Sequence, residues 1–208
     1  MNASFEIKVD ENALKDAISL FEFVGGNTSD AIRVAINKAA PKVRTMASKR
    51  IREEVRLTAS YVNEKLTVRK ATRSRLNGAV LTPMRGVLLS KYSTDAQVSS
   101  DKIGWIKPPP VPSRGIRVKV KPSGETKPMP GAFYMVLNKG KNGGGQLAIA
   151  IREGKDRKPV KVFHGASLSQ VFGNVRGDIL PDAGAEYQAQ LLDAMRFLLN
   201  KQHPVEGV

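Results

Sequence analysis

Between residues 28 and 57 apolar side chains recur in steps of three and four: Ile32, Ala35, Ile36, Ala39, Val43, Met46, Ala47, Ile51 and Val55. That spacing lays one stripe along one side of a helix. Thr28, Ser29 and Asp30 are each able to cap its first N–H groups. The other side carries Arg33, Lys38, Lys42, Arg44, Lys49, Arg52 and Arg56. The pattern predicts a helix roughly 40 Å long at about 1.5 Å rise per residue, or two helices broken near Pro41. Before it, residues 4–9 alternate as a short strand, and Leu14, Ala17, Ile18 and Phe21 mark a helix over 11–23 that Gly25-Gly26-Asn27 ends. After it, Thr58 starts a short helix to Leu66 with Tyr61, Val62 and Leu66 facing inward. TVRKATRSRL then reads as extended with a basic face.

From residue 78 the period changes from helical to alternating. Residues 79–81 and 86–90 are strand candidates on either side of Pro83. Ile116, Val118 and Val120 alternate with Arg117, Lys119 and Lys121, a strand with a basic outer face. PSGETKPMP reads as a turn, and 131–137 and 146–152 as an antiparallel hairpin around a Gly-rich loop at about 138–146. Residues 159–163 form a last strand and 167–172 a turn of helix. A C-terminal helix from about Asp182 to Gln202 carries Leu191, Leu192, Met195, Leu198 and Leu199. Residues 91–115, with the run Pro108-Pro109-Pro110-Val111-Pro112, read as an extended arm stiffened by polyproline geometry. Elements segregated in this way predict an α+β fold: a twisted antiparallel sheet with two long helices packed on one face, plus a Pro-rich arm and a Gly-rich hairpin. The 208 residues are expected to form a single domain.

Charge alters this picture more than composition does. The chain carries a formal net charge of +15. Residues 1–40 hold four basic and six acidic residues and 162–208 three and five, whereas 41–161 hold 27 and eight. So segregated an excess points to a polyanion or an acidic neighbour. The densest run is Lys65, Arg69, Lys70, Arg73 and Arg75, with Arg117 and Lys119 as further candidates for a surface facing DNA or a partner. Phosphate contact needs only flexible cations; a solvated face or pairing with a neighbouring subunit is the competing reading. No aromatics interleave with the run, which argues against stacking on single strands, and no sequence-reading module is present, so DNA contact would be sequence-independent. Trp105, the only tryptophan, sits beside the proline run. It either anchors a partner subunit together with Pro109 and Pro110 or plugs the arm onto its own core.

Catalytic and cofactor chemistry finds little support. There is no cysteine, so disulfides and thiolate metal sites are excluded. His164 and His203 lie far apart and outside any zinc pattern. Gly143-Gly144-Gly145 lacks the Gly-Lys-Ser/Thr of a phosphate loop. Glu53 and Glu54 are adjacent and so cannot share one helical face; Lys49, Arg50 and Arg56 are their expected partners. No serine has a nucleophile-elbow setting. The expectation is a non-enzymatic protein with no cofactor and no metal. No membrane span is expected, and MNASFEIKVDENAL has neither the basic start nor the apolar run of a signal peptide.

One ordered set of motifs narrows the reading. Pro130 to Phe133, Lys158-Pro159-Val160, and Gly165-Ala166-Ser167 through Val171-Phe172 resemble elements of the phage minor tail protein Z family. Residues 35–71 resemble the same family's basic helix, short second helix and basic strand. The resemblance spans roughly 30–200. It implies a structural protein of long-tailed bacteriophages that completes the head-proximal end of the tail tube and prepares it for head joining and DNA passage. The implied partners are copies of itself in a ring, often sixfold, tail tube or tail terminator and neck proteins, and phage DNA. The implied location is the virion, after assembly in the host cytoplasm. A sequence-independent nucleic-acid-binding protein outside any virion is the alternative.

Overall fold

The computed structural model describes residues 4–5, 15–23, 25, 27–98, 105, 107–137, 145–154 and 159–202. They form an α+β protein of four helices and ten short strands, all paired antiparallel. The strands do not join into one sheet. They divide among four sheets, two of three strands and two of two. The chain separates into two compact units, one of residues 1–48, 66–82 and 172–208, the other of 49–65 and 83–171.

The first unit holds helix α1 (Lys15–Phe23) and most of α2 (Thr28–Glu54). It also holds strands β1 (Ser4–Phe5), β2 (Thr67–Arg69) and β3 (Ala79–Leu81), and most of α4 (Leu168–Gln202). Helix α2 is capped one residue earlier than expected: the Asn27 carboxamide oxygen accepts from the Asp30 N–H at 3.1 Å. Thr28 instead donates to Glu22 at 2.7 Å, and Asp30 pairs with Arg33 at 2.9 Å. The helix is continuous through Pro41. That proline has no N–H for the carbonyl four residues back, but it lies on the exposed side of the helix, away from the buried stripe. The buried stripe of α2 is mostly alanine: Ala31, Ala35 and Ala39. Small side chains let α4 approach closely and fill the space with Tyr187, Leu191 and Met195, together with Phe21 of α1. Lys42 and Glu186 close this pairing at 2.6 Å.

Helix α4 begins 14 residues before the expected start at Asp182. Ser167 and Gln170 form a reciprocal cap, Gln170 N–H to Ser167 Oγ at 3.1 Å and Ser167 N–H to Gln170 Oε1 at 2.9 Å. Gly173, Gly177 and Pro181 are all exposed, while Leu168, Val175, Ile179 and Ala183 continue the buried stripe. The breakers sit on the wet face and do not interrupt the packing.

The second unit contains helix α3 (Ala59–Lys65), capped by Thr58 Oγ1 accepting from the Tyr61 N–H at 3.3 Å. Its largest sheet sets β8 (Gln146–Arg152) between β7 (Phe133–Leu137) and β9 (Val160–Val162). Leu147 to Ala150 are four consecutive buried residues, as a strand covered on both faces requires. Strand β4 (Gly86–Leu88) pairs with β10 (His164–Ser167) and runs into a 3-10 turn at Leu89–Tyr92. Strand β5 (Ile116–Val118) pairs with β6 (Lys127–Met129), which falls where only a turn was expected.

The stretch 91–115, expected as an arm, is anchored at several points. Tyr92, Ser93 and Val98 are buried. Ser93 Oγ and Tyr134 Oη lie 2.9 Å apart, and Trp105 exchanges two 3.0 Å backbone hydrogen bonds with Gly145. Residues 99–104 and 106 of this stretch, and 138–144 of the Gly-rich loop, lie outside the described residues.

Candidate functional site

The basic run of the first unit is built as a hairpin. Strand β2 ends at Arg69, and the chain reverses in a tight turn at Arg73-Ser74. Thr72 and Arg75 exchange backbone hydrogen bonds of 2.9 and 3.2 Å, and β3 then pairs back along β2. Two features hold this hairpin on α2. Asn37 acts as a surrogate strand edge: its Nδ2 donates to the Ala71 carbonyl at 3.1 Å and its Oδ1 accepts from the Ala71 N–H at 2.8 Å. Gly78 lies against Ile36, so close that any Cβ there would overlap the Ile36 methyl.

Arg69, Lys70, Arg73 and Arg75 thus come together on one loop. Lys70, Arg73 and Arg75 are exposed, Arg73 to 85%. Arg73 lies 3.9 Å from Asp30, a carboxylate already engaged by Arg33, so its charge is only loosely matched. Arg75 donates to the Lys70 carbonyl at 3.4 Å. Arg69 is half-buried and its Nε has no hydrogen-bond partner among the described residues. The Thr72–Arg75 backbone pair closes the turn, and Lys70, Arg73 and Arg75 are exposed to anions from solvent.

The remaining candidates belong to the second unit. Arg117 is exposed on β5 between buried Ile116 and Val118, and its carbonyl accepts from the Thr94 N–H at 3.0 Å. Lys119 is half-buried beyond the same strand. Lys65 turns onto its own helix, 2.8 Å from Glu64 and 5.8 Å from the centroid of the Tyr61 ring. Trp105 is only 8% exposed and packs within its own unit. Pro109 is half-buried and Pro110 exposed.

Sequence reasoning did not foresee a cavity of about 310 Å³ in this unit. Its walls are apolar: Val87, Val98, Trp105, Leu147 and Leu168. Its rim carries Lys65, Arg85 and Lys91, with Glu64 the one carboxylate among the described residues that line it. Lys91 approaches the Tyr61 ring to 5.2 Å, so two ammonium groups attend one aromatic ring. Burial pushes the Tyr61 hydroxyl above its ordinary pKa despite the lowering influence of Lys65. Burial also lifts Tyr92, fully buried and with its hydroxyl unpartnered among the described residues, to about 12, with Tyr61 adding to the effect. Tyr134 is raised too, chiefly by burial. Asn37 had no legible signal, since it lies on a different side of the helix from the Ala31, Ala35 and Ala39 stripe. Arg85 and Lys91 had none, because folding alone brings them to Lys65.

Among the described residues no group of three His, Cys, Asp or Glu side chains is placed to hold a metal ion, and His164 is exposed on β10. No helix among them is long and apolar enough to cross a membrane. What the two regions offer is cationic surface, bare in one case and edged onto an apolar hollow in the other.

No curated protein and no solved structure matches the chain. The family model described as prophage minor tail protein Z matches residues 11–202, nearly its whole length. With that match the chain belongs to the prophage minor tail protein Z family, and its role is structural, within a phage tail and among other tail components.

Proposed function

We propose that the protein is a non-enzymatic virion component that completes the head-proximal end of the tail tube. It assembles there with copies of itself into a ring, meets tail tube or terminator and neck proteins, and prepares the tail for head joining and DNA passage. The observation that carries the DNA part of this reading is the hairpin. Lys70, Arg73 and Arg75 are exposed on a turn closed by the Thr72–Arg75 backbone pair, and among the described residues Asp30 is the one carboxylate within ion-pair reach of them. Cations so arranged suit phosphates of any sequence. Assembly takes place in the host cytoplasm.

The test is the oligomeric state of the purified protein by light scattering, alone, with duplex DNA, and with isolated tail tubes viewed by electron microscopy. The expected result is a discrete oligomer that caps one end of the tubes. A strict monomer that binds DNA and ignores tubes would overturn the reading in favour of a free nucleic-acid-binding protein.

A further inference from the structure

The cavity of the second unit has no role in the reading above. Its apolar walls are set within side-chain reach of three cations, and its volume of about 310 Å³ is at the small end for ligand sites, enough for one or two side chains. Hollows lined by Val, Leu and Trp gain from an apolar guest, and a rim of Lys65, Arg85 and Lys91, with Glu64 the one carboxylate among the described residues that line it, favours a guest that brings carboxylates. Lys65 and Lys91 are also held in place over Tyr61, at 5.8 and 5.2 Å, and so lose less freedom when a carboxylate arrives. A nucleic-acid guest fits less well. Trp105, at 8% exposure, leaves too little free ring to stack a base.

We propose that this cavity is a docking site for an acidic peptide segment of another tail protein, one in which an apolar side chain lies between carboxylates. The apolar side chain enters between Val87, Leu147 and Leu168, and the flanking carboxylates meet Lys65 and Lys91. The proposal stands on the cavity alone and does not depend on ring formation or DNA contact.

Trp105 lines the cavity and is the only tryptophan in the chain, so its emission reports the site directly. The experiment titrates the full chain with the peptide acetyl-Asp-Asp-Leu-Phe-Asp-Asp-amide and with acetyl-Asn-Asn-Leu-Phe-Asn-Asn-amide, its neutral isostere. The expected result is a saturable change in Trp105 emission with the acidic peptide, weaker by about tenfold or more with the isostere. Lys91→Gln and, separately, Lys65→Gln each weaken the acidic peptide about tenfold with circular dichroism unchanged. A variant with Arg69, Lys70, Arg73 and Arg75 all changed to Gln binds it as the parent does. Any of five outcomes overturns the proposal: no saturable change, equal affinity for both peptides, full binding retained by both lysine variants, equal loss in the hairpin variant, or an emission change on concentrating the protein alone. A duplex DNA oligonucleotide that changes Trp105 emission, with Lys91→Gln abolishing the change, assigns the cavity to nucleic acid and overturns it as well.

Discussion

The hairpin at Arg69–Arg75 and the cavity beside Tyr61 are both cationic, yet they handle charge in opposite ways. On the hairpin Lys70, Arg73 and Arg75 are exposed around a tight turn, with no apolar hollow between them, while Arg69 is half-buried. Around the cavity Lys65 and Lys91 lie along an aromatic ring at the edge of a hollow lined by Val87, Leu147 and Leu168. Bare cations attract by field and release counterions, so they bind any polyanion and weaken steeply with salt. Cations edging an apolar hollow add area that must be desolvated, so part of their affinity survives salt and depends on the shape of the guest. A net charge of +15 therefore does not describe one surface with one purpose.

Four changes test how deep this division runs. The largest effect is expected from neutralising Arg69, Lys70, Arg73 and Arg75 together. The slope of log affinity against log salt for duplex DNA should shrink by roughly 0.9 for each phosphate that is no longer neutralised. An unchanged slope in a filter-binding titration places those cations in a subunit contact or in none. Next, Gly78→Val forces a branched side chain onto Ile36 beneath the hairpin. It should cost about 1–3 kcal/mol in chemical denaturation, and a loss under about 0.5 kcal/mol means that the hairpin is not seated on α2 as described. Asn37→Ala removes both hydrogen bonds to Ala71 and should cost on the order of 1–3 kcal/mol, with lower DNA affinity and no change at the cavity.

The smallest effect belongs to Tyr92→Phe on the cavity side. Deleting a fully buried hydroxyl that has no partner among the described residues should leave stability unchanged or raise it by about 1 kcal/mol near neutral pH. The pH dependence has a definite sign. The folded pKa, about 12, lies above the ordinary 10.0 because burial favours the neutral phenol. That stabilisation is complete below pH 10 and is lost as pH rises toward 12, since the unfolded chain gives up its proton first. Tyr92→Phe should flatten this alkaline loss in denaturation curves taken across that interval; an identical loss in both proteins rules Tyr92 out as its source.

Legibility in the sequence followed how local each feature is. Helices α1, α2 and α3 were readable because their stripes are uninterrupted, and the cationic run because its members are neighbours in the chain; its hairpin was not, since residues 67–76 read as extended whereas the chain turns at Arg73-Ser74. The first half of α4 was not readable, since Gly173, Gly177 and Pro181 look like breakers until they are seen to share the exposed face. Pro41 in α2 is the same case, and there the pattern left a continuous helix open. Strands β6 and β10 escaped because three or four residues containing Pro128 or Gly165 show no alternation. The division into four sheets was beyond reach, for alternation reveals which side of a strand is buried but not which strand lies beside it. The cavity was hidden for the same reason: α3, β4, the 3-10 turn and Trp105 meet only through long-range packing.

The Asn37–Ala71 pair carries a consequence for kinetics and heat. A loop that became ordered only on meeting a polyanion would lose conformational entropy at that moment and associate with a penalty. Because Asn37 fastens Ala71 during folding, that loss occurs before any partner is present. The Ala71 amide should accordingly exchange its hydrogen slowly in the free protein, while amides at the Arg73-Ser74 tip exchange fast. Binding there should release little heat from ordering, and its rate should be governed by diffusion in the field of the cations.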